Sequence, residues 1–193
     1  MKIEPVTLQG RVVRLEPLAL AHVPGLARVG LAPELWRWIP TQVADAAQMQ
    51  AWVQTALDEQ TAGTSLPFAI ISQASGEAIG STRYMNIVPA HRRLEIGSTW
   101  LSTAAQRSGA NTEAKLLLLT HAFEALKAIR VELKTDALNS RSRAAIARIG
   151  GIEEGIFRRH VICASGRVRD TVYFSMLDNE WPAVKARLFS MLR

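Results

Sequence analysis

Leu94 to Glu124, LEIGSTWLSTAAQRSGANTEAKLLLLTHAFE, decides the fold, because a strand there runs into a short polar turn and then into a long apolar helix. Leu94 to Leu101 is rich in β-branched and aromatic residues and reads as a buried or half-buried strand. Ser102 to Ser108 breaks the hydrophobic run with small and polar residues. Gly109 then supplies a backbone position open to φ > 0 or to close approach by a ligand. From Ala110 there is no Gly or Pro until Gly150. Ala114, Leu117, Leu118, Ala122, Ala125 and Leu126 recur at helical spacing, and Glu113, Thr120, Glu124 and Lys127 form a polar stripe. The spacing predicts a helix packed on a sheet.

A turn of this kind aims unpaired backbone N–H groups at one point, and the helix dipole adds to their attraction for an anion. A phosphate or diphosphate is the natural ligand. The plain alternative is that Gln106 to Asn111 is only a strand-to-helix connection.

Working outward, Leu8 to Glu16 reads as a first strand ended by Pro17, and Ala19 to Leu31 as a short helix disturbed by Pro24 and Gly25. A loop bounded by Pro33 and Pro40 carries Trp36 and Trp38, which either plug the core or wall an acceptor pocket. Asp45 is expected to cap a helix over Ala46 to Thr61. Leu66 to Gln73 and Glu77 to Ile87 form a hairpin, and Pro89 separates it from the strand at His91 to Leu101. After the long helix, Arg130 to Thr135 is a strand whose helical connection implies parallel pairing with its predecessor. Asn139 caps a helix over Ser140 to Ile149, ended by Gly150 and Gly151. Strands over Ile152 to Ala164 and Arg167 to Leu177 then precede a last helix with Trp181 and Pro182 in its first turn.

With 193 residues, 48% of them hydrophobic, and no Pro/Gly/Ser-rich divider, residues 1–193 are expected to form a single domain. No apolar run reaches membrane-spanning length, and the first residues lack a secretory signal, so no membrane association and a cytoplasmic location are expected. Cys163 is the only cysteine, and His22, His91, His121 and His160 lack ligand spacing; no disulfide and no metal are expected. The net charge of +6 comes from dispersed Lys and Arg, with local excess at Arg92–Arg93, Arg141 to Arg148 and Arg158 to Arg169. Without interleaved aromatics this does not read as a nucleic-acid surface; it suits a phosphate-rich cofactor or an acidic partner.

Several motifs converge. Gln106-Arg107-Ser108-Gly109-Ala110-Asn111 is similar to the Gln/Arg-x-x-Gly-x-Gly/Ala signature of the GNAT superfamily of N-acetyltransferases, with Asn111 where the signature has Gly or Ala. Glu95-Ile96-Gly97, Asn139-x-x-Ser142, ARIGGIEEGIFRRH and GRVRDTVYFSMLDNEW resemble its RimJ/RimL-type branch, the ribosomal-protein N-terminal acetyltransferases, and the likeness runs from about Val6 to Leu192. It implies an α/β (α+β) fold: a mixed, mostly antiparallel twisted sheet with helices on both faces and a splayed parallel strand pair. It also implies acetyl-CoA as donor and a primary amine as acceptor, attacked directly, without a covalent enzyme intermediate.

Glu95 is the leading general base. It is flanked by apolar residues, whose desolvation raises a carboxylate toward the useful range, and alternation puts it with Gly97 and Thr99, opposite Leu94, Ile96 and Trp100. A strand-edge ion pair with Arg92 or Arg93 is the competing reading. Glu153 and Glu154 are runners-up. The resemblance implies that Ser142 serves the departing thiolate, with Tyr84 and Tyr173 as alternatives, and that Asn139 contacts pantetheine. It further implies main-chain contacts to pantetheine from Trp100, Leu101 and Ser102, and to the phosphates from Arg107, Ser108, Gly109, Ala110, Asn111 and Thr112. Trp36, Trp38, Arg83 and Tyr84 would line the substrate pocket. The acceptor stays open between a protein N-terminal amine, which a broad groove would suit, and a small amine such as an antibiotic, polyamine or amino acid, which a pocket roofed by Trp36 and Trp38 would suit. A non-catalytic acyl-CoA sensor is the alternative of another class. The last hairpin is a candidate for pairing subunits into a homodimer.

Overall fold

The computed structural model describes residues 1–192. The elements are β1 (Leu8–Gln9), β2 (Val13–Pro17), α1 (Val23–Gly30), α2 (Pro33–Trp36), α3 (Ala46–Thr61), β3 (Leu66–Ser72), β4 (Ala78–Val88), β5 (Arg93–Leu101) and α4 (Ala110–Thr120). There follow β6 (Arg130–Asp136), α5 (Ser140–Arg148), β7 (Ile152–Ile162), β8 (Val168–Leu177) and α6 (Trp181–Ser190). Eight strands form one sheet in the order β1-β2-β3-β4-β5-β6-β8-β7. All neighbours are antiparallel except β5 and β6, the pair joined through α4.

That parallel ladder is short. Only Arg93, Leu94 and Glu95 pair with Arg130, Val131 and Glu132; beyond them β5 stays with β4 and β6 with β8. The expected splay is therefore present, and it opens a slot whose strand edges carry backbone groups without a strand partner.

Helices cover both faces. Under α4 and α6, Leu15, Phe68, Tyr84, Leu94, Ile96, Leu118, Leu119, Val131 and Phe174 form one core. Under α1 and α3, Trp36, Met49, Trp52, Val53, Ile71 and Trp100 form a second. This second core takes no residue from β6, β7 or β8, so that face of those strands is left uncovered by it.

Three local expectations are corrected. The first strand is two, because Gly10 to Val12 turn back and pair Leu8 with Leu15. Glu113, read as part of a polar helical stripe, is buried beneath this turn and accepts the N–H groups of Arg11, Val12 and Val13 at 2.9, 2.6 and 2.7 Å. A Cβ on Gly10 would stand 2.5 Å from that carboxylate, so the close approach requires glycine. The left-handed residue of the turn before α4 is Arg107, at φ 60°, while Gly109 is right-handed, at φ −67°. Asn111 lies inside α4 and needs no left-handed backbone.

Two bulges set the face of each β5 side chain. Between Arg83–Gly97 and Ser81–Trp100 the strand β5 carries one residue more than β4, with Ser98 at φ 46°. An extra residue resets the alternation. Thr99 therefore points to α4 and Trp100 joins the Trp36 core, the reverse of strict alternation from Glu95. The second bulge is on β4, where Asn86 at φ 49° turns its amide onto Glu95.

Candidate active site

Glu95 stands on the last paired rung before the slot and is 5% exposed. Its Oε2 accepts from Lys134 Nζ at 2.7 Å and from Asn86 Nδ2 at 2.6 Å. The ion pair is thus with Lys134; Arg93 turns instead to Glu132, and Arg92 donates to Lys127 O. Burial disfavours the Lys134 ammonium, but the charge and hydrogen bond of Glu95, with help from Tyr173, outweigh it and hold its pKa above the usual lysine value. Glu95 Oε1 faces Gly97, where an added Cβ would lie 3.0 Å from it and 2.5 Å from Met85 Sδ. That oxygen makes no hydrogen bond to the described residues. A larger residue there would push both side chains aside.

Beside this pair opens a cavity of about 770 Å³ lined by Thr64, Asn86, Ile87, Val88, Arg93, Glu132, Lys134, His160 and Tyr173. Its far wall is aromatic: Phe157 stacks on Tyr173 with ring centres 4.2 Å apart, and His160 lies 5.7 Å from the Tyr173 ring. Lys134 and Asn86 join this cavity to Glu95.

The other runners-up for the base are committed elsewhere. Arg130, and to a smaller degree Ser175, hold Glu154 at a pKa of about 2, far below the point at which it would take a proton from an amine. Glu153 is exposed and pairs with Arg143 at 3.1 Å.

At the opening of α4, the N–H groups of Arg107, Ser108, Gly109, Asn111 and Thr112 have no backbone acceptor among the described residues. Ser108 Oγ accepts from Ala110 N and donates to Ala105 O, which fixes the turn. Three arginines belong to this end and make no ion pair with a carboxylate among the described residues: Arg107 in the turn, Arg141 donating to Gln106 Oε1 at 3.0 Å, and Arg148 donating to Thr112 Oγ1 at 3.3 Å. Open amides at a helix start and unpaired guanidiniums suit a diphosphate, and they fit coenzyme A. The slot between β5 and β6 leads from this end toward Glu95, and Trp100 and Leu101 contribute main chain to its β5 side. Ser102 Oγ accepts from Ala105 N, and Gln106 Nε2 donates to Leu101 O.

Asn139 caps α5 through Oδ1, which accepts from Ser142 N at 3.0 Å. Its Nδ2 makes no hydrogen bond to the described residues, so the cap leaves a donor free. Both residues start the helix that follows β6 beyond the parallel ladder.

The expected acceptor wall is corrected in part. Trp36 is buried against Trp52 and Trp100, with ring centres 5.6 Å from each, and its Nε1 donates to Gly30 O at 2.7 Å. Tyr84 is wholly buried and its hydroxyl donates to Leu118 O at 2.6 Å, so it is neither a wall nor an acid. Arg83 is buried over the Trp52 ring and paired with Glu59 at 2.9 Å. Trp38 is half-buried between the guanidiniums of Arg37 and Arg167, and its carbonyl accepts from Arg169. None of the four lines the 770 Å³ cavity. Residue type and strand parity do not reveal the lining of that cavity, which comes from β4, β5, β6, β7 and β8 together with Thr64. The Arg141 to Arg148 excess did hold a signal: the two lie seven residues apart, two turns of one helix face.

A helix opening built for a diphosphate, a splayed parallel pair and a carboxylate beside an open cavity together define an acyl-coenzyme A-dependent transferase. The sequence profile of the Acetyltransferase (GNAT) domain matches residues 13–152, and the chain belongs to this family, the acetyl-CoA-dependent N-acetyltransferases. It is 36% identical over 110 residues to the Bacillus subtilis protein named "Putative ribosomal N-acetyltransferase YdaF", a match covering 57% of this chain and 59% of that relative's length. Among solved structures, a GCN5-related N-acetyltransferase from Brucella melitensis is 36% identical with a TM-score of 0.92, covering 100% of this chain and 88% of that one. Mycobacterium smegmatis RimJ in complex with CoA-disulfide is 27% identical with a TM-score of 0.84, covering 97% and 95%.

Proposed function

We propose that the chain acetylates a protein N-terminal amine, by direct attack of the neutral amine. The observation that carries this is the open cavity beside Glu95, with Trp36 withdrawn into the core and no aromatic roof from Trp38. Such a groove has room for an extended peptide end. The name of YdaF, a ribosomal N-acetyltransferase, points to a protein acceptor as well.

Acetyl-coenzyme A, when bound, supplies the activated acetyl group. Arg107 to Thr112 and the guanidiniums of Arg141 and Arg148 hold its phosphates, and the free edges of β5 and β6 receive the pantetheine amides. Glu95 Oε1 takes the proton from the amine, directly or through one water, while Lys134 and Asn86 fix the carboxylate through Oε2. Roughly a tenth of an α-amino group is neutral at pH 7, against a few per ten thousand of a lysine side chain, so an N-terminal acceptor asks less of this base. Ser142 Oγ would be the donor available to the coenzyme's sulfur as it leaves, and Asn139 Nδ2, free of the helix cap, the donor available to its pantetheine arm. The buried, unpaired Cys163 thiol fits a cytoplasmic setting, and the exposed Ile156, Phe157 and Ile162 of β7 support pairing of two copies.

The test is release of free coenzyme A thiol with peptides bearing a free N-terminus, the same peptides blocked there but carrying an internal lysine, and a panel of small amines. Free N-termini should be turned over and blocked ones not. Turnover confined to small amines would overturn the assignment.

A further inference from the structure

Lys115 lies on α4 five residues beyond Ala110 and is 5% exposed. Its ammonium has one protein acceptor, Thr99 Oγ1 at 2.8 Å, and Thr99 in turn shares a hydrogen bond of 2.7 Å with Thr82. The groups it is bonded to on β5, and through it on β4, are uncharged hydroxyls, and no carboxylate pairs with it among the described residues. One turn earlier on the same face, Asn111 keeps Oδ1 buried without a partner among the described residues. A methionine would fill such a position without the cost of an unpaired buried cation. Packing therefore does not explain the choice of lysine.

The surroundings do suggest a use. Lys115 is tied to Thr99, in the part of β5 that has already left β6, and sits on the helix whose first amides face the phosphates. From Ala110 the helix rises roughly 7.5 Å to Lys115. The ammonium is thus about one and a half helical turns of backbone from the open amides, and charges buried that close in a protein interior act on each other with little screening by salt.

We propose that Lys115 is a proton-linked part of the cofactor site: a diphosphate docked at the start of α4 holds it as an ammonium, so coenzyme A and a proton bind together. This rests on the placement of the cofactor at α4. Without ligand, burial brings the Lys115 pKa from 10.5 to about 7, so at pH 8 most of it is neutral. Binding then draws a proton from solvent, and by linkage the affinity falls as pH rises, by up to about tenfold per unit above pH 7.

Calorimetric titration of coenzyme A into the intact protein, in buffers of different ionisation enthalpy, counts the protons. At pH 8 the wild type should take up at least about half a proton more than Lys115→Met, and at pH 6 the two should agree; taking the difference cancels the cofactor's own ionisations. Equal uptake at pH 8, with binding intact in both, overturns the proposal. Should Lys115→Met not fold, wild-type uptake of dephospho-coenzyme A decides: uptake at pH 8 that vanishes at pH 6 supports it, and none at pH 8 overturns it. A wild type that binds no coenzyme A at any pH would sink the placement at α4 itself, which the same titration shows as a separate failure.

Discussion

Lys134 Nζ stands 2.7 Å from Glu95 Oε2 and bridges β5 and β6 just where the two strands part. The pair holds one oxygen of the carboxylate against two residues that line the 770 Å³ cavity, Lys134 and Asn86, and leaves the other toward Gly97. It also charges the wall of that cavity in a fixed way, since Lys134 stays an ammonium well into the alkaline range.

Replacing Glu95 with Gln keeps the Asn86 and Lys134 neighbours but removes the proton acceptor. Turnover should fall by about 10²- to 10⁴-fold, with coenzyme A affinity nearly unchanged. Steady-state rates and a binding isotherm check both halves, and rates equal to wild type across pH would remove Glu95 from the mechanism.

Lys134→Met strands a buried carboxylate. The expected loss is about 3 kcal/mol of stability, most of it restored when Glu95→Gln is added. Urea denaturation of the two single variants and the double variant measures the coupling, and simple additivity would mean that the pair is not a unit.

Arg141→Ala and Arg148→Ala remove cations from the opening of α4. Each should weaken coenzyme A binding by about tenfold at low salt, less at high salt, without altering the unfolding midpoint of the free protein. Undiminished affinity in both would place the phosphates elsewhere.

The depressed pKa of Lys115 has a sign in folding. Between about pH 7 and the ordinary lysine value of 10.5, the unfolded chain binds a proton that the folded one does not. Stability should therefore rise with pH through that window and be lowest below pH 7. Denaturation midpoints of wild type minus Lys115→Met, followed from pH 6 to pH 10, isolate this slope; a flat difference contradicts it.

Glu113 satisfies three main-chain N–H groups of the β1–β2 turn. Glu113→Ala should cost about 1–3 kcal/mol, since the Val13 N–H would be left buried without an acceptor while those of Arg11 and Val12 can turn to water, and hydrogen exchange should quicken first at Arg11 to Val13.

Much of the fold was legible because local rules and tertiary packing agree. The strand at Leu94, the Asp45 and Asn139 caps and the parallel order across α4 all follow from patterns a few residues long. What escaped depends on partners distant in sequence. Glu113 reads as part of a polar helical stripe until the turn a hundred residues earlier is placed on it, and Trp100 changes face only because Ser98 makes a bulge. In the site, Glu95 was visible as a carboxylate in an apolar strand, but its partners Lys134 and Asn86 were not, for the one comes from the neighbouring parallel strand and the other from a bulge. The two readings left open for the Pro-flanked loop divide for the same reason: Trp36 takes the core-plug alternative because Trp52 and Trp100, distant in sequence, close around it.

The most direct test of the central claim is a crystal structure of the protein with coenzyme A. The account predicts the diphosphate within hydrogen-bond reach of the amides from Arg107 to Thr112, and the pantetheine arm between β5 and β6 with its sulfur end toward Glu95. A diphosphate bound away from the start of α4, or an arm that avoids the slot, would contradict it.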